Sequence, residues 1–485
     1  MKKRNAPVYA VFILALAMIA GNISATISGV LSYYLTNVIG FGVIFAGSFV
    51  TIFRIWDAVT DVAMGNIADK TNTKIGRFTP YILVGAIGTA IVAFAMVYIP
   101  PALPEGMIRK VVFVLLYMLF VVCTTLLVSG NRSAAQICFT DSKSRATLGM
   151  MNGIYLTIYY TMVNVYIYQM LMPATGGFNL EFFQRCLPTL AILGSVSMLV
   201  FLLCYGKYDR LAVKEEMQLS SVKPKEKITL KDALRLFRTN RPFLMLIMSA
   251  GTDKLATTLQ SNATVVLIMY GICVGNSKLS SAVNSYTMIP SIIMILLGLG
   301  AIGRKYGSKK ALLVSSWGGL VVCGLSVLLW IFGDFHTLNF PGYEDFSGWS
   351  LFTIAYLVLF ILIKGFSTIG GQALNPMLAD VIDYEYYISG KYCPGTIGAL
   401  FNLADKVISS LGPTIVSILC VFIGFSDRLP TADDPFTIPL FAVGLIGLYG
   451  LSILGYLVNL VCLKFYPLTP EYMEKIHNEL ALREN

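Results

Sequence analysis

The sequence predicts an all-α membrane protein, and three observations predict it. Of 485 residues, 56% are hydrophobic and only 13% are charged, whereas a soluble domain carries about 25% charged residues. No charged residue stands between Arg4 and Arg54. The apolar runs are long and continuous rather than alternating with period two, the pattern of spanning helices and not of barrel strands.

A span needs about 20 apolar residues. Twelve segments qualify: 8–36, 41–68, 78–99, 111–139, 147–172, 185–206, 242–272, 281–303, 310–333, 350–379, 394–424 and 436–466. The first follows Lys2, Lys3 and Arg4. It is too long for a signal peptide and no small-residue cleavage site closes it, so it reads as an uncleaved span. The organisation expected is a six-helix bundle over 1–206, a polar linker over 207–241 containing KPKEK, a second bundle over 242–466 and a tail over 467–485.

With the N-terminus inside, 26 of the 36 Lys and Arg fall in inside segments, 5 in outside loops and 5 within spans. This positive-inside asymmetry places both termini and the linker in the cytoplasm. Basic loops facing anionic lipid account for the net charge of +10 without nucleic acid. The nine cysteines form no CxxC pair, His336 and His477 lie far apart, and no GxxxxGK[ST] loop is present. Neither a metal cluster, nor a disulfide framework, nor an ATP-gripping loop is expected. No nucleophile and base stand out within the spans, so an enzyme is not expected.

The segment after the second span, GNIADKTNTK from Gly65, is echoed by GAIGRKYGSK from Gly300, 235 residues on. A glycine, a basic residue, Asn or Gly, and a lysine recur at the same offsets. Two six-helix halves in parallel repeat mark a secondary transporter. The first copy, with Gly65, Asp69 and Lys70, resembles the loop signature of the major facilitator superfamily.

Away from the span ends, nine charged residues lie within predicted spans: Arg54, Asp57, Asp61, Arg132, Asp253, Lys254, Lys364, Asp405 and Lys406. Each costs roughly 2.5–3.5 kcal/mol at a helix centre and is a functional candidate for that reason. Arg54, Asp57 and Asp61 are spaced i, i+3, i+7 and project from one face. Two carboxylates four residues apart can share a cation or one proton. An Arg54–Asp57 ion pair is the plainer account, but it leaves Asp61 unexplained, and the cation-site reading is preferred. Arg132 precedes Asp141 by nine residues, about 13–14 Å along a helix. Its planar fork suits a carboxylate, sulfonate or phosphate on a substrate, or an internal pair with Asp57 or Asp405; both readings stay open. Asp253-Lys254 and Asp405-Lys406 are adjacent pairs that point about 100° apart, so one member of each should reach another helix. For Asp253, Lys254 and Lys364 an interhelical ion pair and a substrate role weigh equally; Lys406 leans functional. Tyr33, Tyr34, Tyr155, Tyr159 and Tyr160 could stack on sugar faces, but interfacial aromatics are common, and none is singled out.

RIWDAVTDVAMGNIADKTNTKIGRFTPYIL resembles the second-span signature of the glycoside–pentoside–hexuronide:cation symporters. DSKSRATLGMMNGI, ADVIDYEYYISGKYCPGTIGALFNLADKVISSLG and the tail YPLTPEYMEKIHNEL extend the likeness over nearly the whole chain. The resemblance implies a twelve-helix major facilitator fold in a bacterial inner or plasma membrane, importing a sugar or glycoside with H⁺ or Na⁺ by alternating access and without other cofactors. It implies a cation site at Asp57 and Asp61 and a link between cation and sugar at Lys406. The first-span and fourth-span acids of the melibiose carriers are missing: the positions nearest them are Gly21 or Asn22 and Val128. Asn152 or Gly153 replaces an arginine that several relatives place early in span five. Arg132 adds positive charge nearby, so an anionic substrate such as a uronide or sulfosugar is expected, with Asn22, Arg132, Asn152 and Lys406 as substrate candidates. The alternatives are a lysolipid or zwitterion carrier on the same scaffold and an uncoupled sugar facilitator. The expected partners are the sugar, a monovalent cation and the bilayer; a monomer is the expected unit.

Overall fold

The computed structural model describes residues 7–71, 73–131, 138, 142–219, 240–340, 349–390 and 394–484. The described residues form a helical protein whose local secondary structure follows the apolar runs. The helices are α1 (Tyr9–Ile39), α2 (Val43–Lys70), α3 (Thr79–Ala102), α4 (Met107–Val128), α5 (Ser142–Asn164), α6 (Leu180–Leu219), α7 (Arg241–Gln260), α8 (Lys278–Tyr306), α9 (Ser308–Phe332), α10 (Leu351–Ser389), α11 (Pro394–Phe422), α12 (Ile438–Phe465) and α13 (Pro470–Glu484). Among the described residues nine helices are long and apolar enough to cross a membrane. They become ten if α7 and Ala263–Cys273, bent by 51°, form one span. α5 and α8 fall outside that set.

Several bounds differ from the apolar runs for local reasons. The expected single span 242–272 is broken because Asn262 starts a new helix, its side chain accepting from Thr264 N–H at 3.0 Å. α6 runs through Leu219 into the segment expected as linker, and the tail forms α13. α5 continues as a π-helical turn over Val165–Leu171.

By proximity the chain divides into unit 1 (Met1–Pro224 with Pro413–Ala432) and unit 2 (Lys225–Gly412 with Asp433–Asn485). The expected bundles assign Pro413–Ala432 to the second half instead.

Within unit 1, α3 packs on α4 and α6, α1 on α6 and α2 on α4. Within unit 2, α9 packs on α10 and α12, α7 on α12 and α8 on α10. These are the same pairings displaced by six helices, so the repeat suggested by the two basic loops recurs in the packing. Small residues make the pairings close. A Cβ on Gly85 would strike the α4 backbone at Leu127, and one on Gly319 would strike the Tyr456 ring. Such small-residue contacts let spanning helices approach where no hydrophobic drive separates protein from lipid.

The two echoed loops differ in form. In unit 1, α2 ends at Thr71 and the chain turns through Gly76, at φ +126°, before α3. Asp209, fully buried on α6, accepts from the N–H groups of Phe78 (2.9 Å) and Thr79 (3.0 Å) and from the Thr79 hydroxyl (2.8 Å). It thereby caps α3 from another helix, satisfying donors that a helix start leaves open. In unit 2, Gly307 at φ +81° joins α8 directly to α9. There Lys309 donates to the carbonyl of Tyr466, just past α12, at 2.6 Å.

Candidate functional site

α2 contains no proline and runs for 28 residues from an extended Gly42. Ile52, Ile55 and Val59 are exposed, and helical geometry sets them on the face opposite Arg54, Asp57 and Asp61. The apolar face suits lipid, leaving the charged face for protein. There Arg54 donates from Nη1 to Asp57 Oδ2 at 3.2 Å, with the side chains 20% and 14% exposed. The plainer ion-pair account is thus present in the structure. Asp61 is itself engaged by neighbours rather than bare. Arg54 Nε is buried with no hydrogen-bond partner among the described residues, so the pair leaves guanidinium donor capacity unused.

α4 supports this face. Trp56 Nε1 donates to Met118 O at 3.1 Å. Thr60 donates to Asp57 O at 2.9 Å, which leaves its oxygen to accept from the Thr125 hydroxyl, 3.2 Å away. Tyr117, missed by the sequence reading, has its ring 4.9 Å from that of Phe49 and 5.5 Å from that of Phe53. Its phenol lies within electrostatic range of Arg54 and Asp57. A lone phenol in an otherwise apolar helix was the signal available.

On α1, Asn22 accepts from the Tyr160 hydroxyl at 3.1 Å and donates to Met18 O at 2.8 Å. Thr26 and Tyr159 are linked at 2.9 Å. Tyr33 and Tyr34 are buried and donate to the carbonyls of Pro430 and Met96, a structural use. Asn152 is partly buried on α5, about 12 Å along the helix from Tyr160, and among the described residues Asn22 bonds to Tyr160 and Met18 rather than to it. Arg132 lies outside the described residues. Gly65, Asp69 and Lys70 fall in the last part of α2.

In unit 2, α7 and α11 approach closely where Gly251 faces Ile408 and Gly412 faces Thr258. There Asp253 lies within electrostatic range of its chain neighbour Lys254 and of Asp405 on α11. Lys254 is exposed; Lys406 is partly buried and engaged by neighbours. Lys364 on α10 donates to Asn284 Oδ1 at 2.9 Å and to Thr287 Oγ1 at 3.4 Å, with its ammonium 4.9 Å from the Phe360 ring centroid. All three partners are neutral; the ion pair allowed for Lys364 is not made among the described residues.

A multi-span helical protein with six-helix-displaced packing and charged side chains at membrane depth belongs to the class of secondary transporters with the major facilitator fold. Solved structures agree on the fold. The nucleoside transporter NupG superposes with a TM-score of 0.57 at 15% identity over 94% of this chain and 98% of that one. FucP in the outward conformation gives 0.51 at 12% identity over 95% and 98%. The family model described as MFS/sugar transport protein matches residues 12–470, and the chain belongs to that family. Among its relatives, the glucuronide carrier protein homolog of Escherichia coli (strain K12) is 24% identical over 94% of this chain and 91% of its own length. The isoprimeverose transporter of Lactiplantibacillus pentosus is 22% identical over 84% and 79%. The protein is therefore a multi-pass transporter of the cell membrane, not an enzyme.

Proposed function

We propose that this protein is a cation-coupled symporter that carries a sugar or glycoside by alternating access, with H⁺ or Na⁺ as the coupling ion. The observation that supports it most is the acid pair Asp57 and Asp61 on one face of the membrane helix α2, held against α4, with Asp57 already paired to Arg54. The relatives' names, glucuronide carrier homolog and isoprimeverose transporter, supply the sugar class; a further relative, 38% identical over only 16% of this chain and 17% of its own length, is named a putative glycoside/cation symporter.

Arg54 holds the charge of Asp57 while no cation is bound. The arriving ion takes over that neutralisation, the guanidinium lets go, and the change raises sugar affinity. The energy available is the difference in affinity of the cation for the two states. The substrate is anionic, because the acids that bind galactosides in the melibiose carriers have no counterpart at Gly21, Asn22 and Val128, and Arg132 adds a positive charge close by in the sequence. Asn22, which accepts a hydrogen bond from Tyr160, serves the sugar; Arg132 and Lys406 are further candidates by sequence.

Proteoliposome uptake of a panel of labelled glycosides, under separate Na⁺ and H⁺ gradients, tests this. Wild type should accumulate at least one glycoside under one gradient, and Asp57→Asn or Asp61→Asn should abolish the accumulation. Concentrative uptake that survives both changes contradicts the cation site.

A further inference from the structure

Lys364 stands about 20 Å along α10 from its start at Leu351, well inside a hydrocarbon core of about 30 Å. Its described partners are complete: an amide oxygen, a hydroxyl and an aromatic ring, with no carboxylate. Those partners are fixed as acceptors. Asn284 spends its NH₂ on Ser280 O at 2.9 Å, which turns its oxygen to the lysine. Thr287, fully buried, spends its proton on Val283 O at 2.8 Å. An ammonium has three N–H groups, and these two acceptors leave one over.

A second group is idle on the same face. Ser291 follows Thr287 by one helical turn, so Asn284, Thr287 and Ser291 line one side of α8, the helix that packs on α10. Ser291 is 6% exposed and its hydroxyl has no hydrogen-bond partner among the described residues. Buried polar atoms are nearly always paired. Among the described residues, an ammonium with no counter-charge and a hydroxyl with no partner thus lie at the same face of α8, one turn apart. Both lack the same thing, an acceptor, and an anionic oxygen supplies it. A single point charge matches a monoanion, whereas a phosphate dianion would leave one charge unmatched here.

We infer that Lys364, set by Asn284 and Thr287 and flanked by Ser291, receives the carboxylate of the carried sugar and so selects a uronide over its neutral counterpart. This rests on the symport reading above. Lys364 is then a specificity residue, and the neutral hydrogen bonds are its resting state.

The test is uptake of two probes that differ only at C6, 4-nitrophenyl β-D-glucuronide and 4-nitrophenyl β-D-glucoside, by wild type, Lys364→Gln, Lys364→Arg and Ser291→Ala in proteoliposomes under each cation gradient. Wild type should favour the glucuronide. Lys364→Gln should raise its KM about 10- to 100-fold, the loss of a charge-assisted hydrogen bond, with glucoside uptake unchanged. Lys364→Arg should recover much of the preference. Ser291→Ala, the milder change that remains informative if Lys364→Gln fails to fold, should cost about 3- to 10-fold on the glucuronide only. Equal losses on both probes would make Lys364 a structural cross-link and overturn the inference. Unchanged selectivity in the variants overturns it too. A wild type that accumulates the glucoside but not the glucuronide leaves symport standing and removes the role of Lys364. Accumulation of neither probe also removes it, while the wider glycoside panel decides symport separately.

Discussion

The two units bury charge in opposite ways. In unit 1 Arg54 of α2 is matched to Asp57 on the same helix at 3.2 Å. In unit 2, Lys364 is held by neutral groups. A matched pair must be opened before a new ion can enter, so it can act as a switch. An unmatched ammonium is ready to receive, so it can act as a reader. Under the symport reading the repeat has divided its labour: the first unit keeps the cation and the second recognises the charge on the sugar.

The same divergence appears at the helix junctions. Unit 1 fastens the start of α3 with a carboxylate that takes three hydrogen bonds. Unit 2 fastens the start of α9 with one partly exposed lysine on a carbonyl. Removing the stronger latch should cost more. Asp209→Ala should lower stability by about 2–3 kcal/mol, since it strips charge-assisted bonds and a cap at once; the thermal midpoint in detergent checks it. Gly76→Ala should act in the same direction, because its φ of +126° strains any other residue and its new Cβ would strike the Asp209 carboxylate. Arg54→Gln should tighten the apparent affinity for the coupling cation by about tenfold, as a competing charge at a partly buried pair is removed. Cation titration of uptake reads it, and an unchanged titration would reduce Arg54 to a helix contact. Lys309→Met should be the smallest effect, about 0.5–1 kcal/mol, since a single charge-assisted bond from a partly exposed side chain is weakened by solvent. If Lys309→Met proved as damaging as Asp209→Ala, the contrast between the junctions would fail.

Most helices were legible because a run of some twenty apolar residues has few other fates. What blurred them was polarity at the ends and breaks: the polar extension of α6 to Leu219 and the restart at Asn262 do not look like span from composition. α8 shows why polarity matters; Ser280, Asn284, Thr287 and Ser291 are there because they face protein. The acid pair could be read from spacing and cost. The Arg54–Asp57 bond was weighed as the lesser account, yet it forms, because i, i+3 partners meet on any helix. Contacts across long separations were not legible: Asp209 meets Thr79 130 residues away, and nothing local marks either residue. Tyr117 was hidden by its apolar neighbours, and the choice of neutral partners by Lys364 depends on how α8 and α10 register.

The central claim is that Asp57 and Asp61 hold the ion that drives uphill movement. The most direct measurement sets two modes side by side in one proteoliposome preparation of Asp57→Asn and Asp61→Asn: gradient-driven accumulation, and exchange of labelled for unlabelled sugar at equal concentrations. The account predicts that accumulation disappears while exchange continues, since the scaffold still moves the sugar but no longer ties it to an ion. Accumulation at wild-type levels in both variants would contradict it.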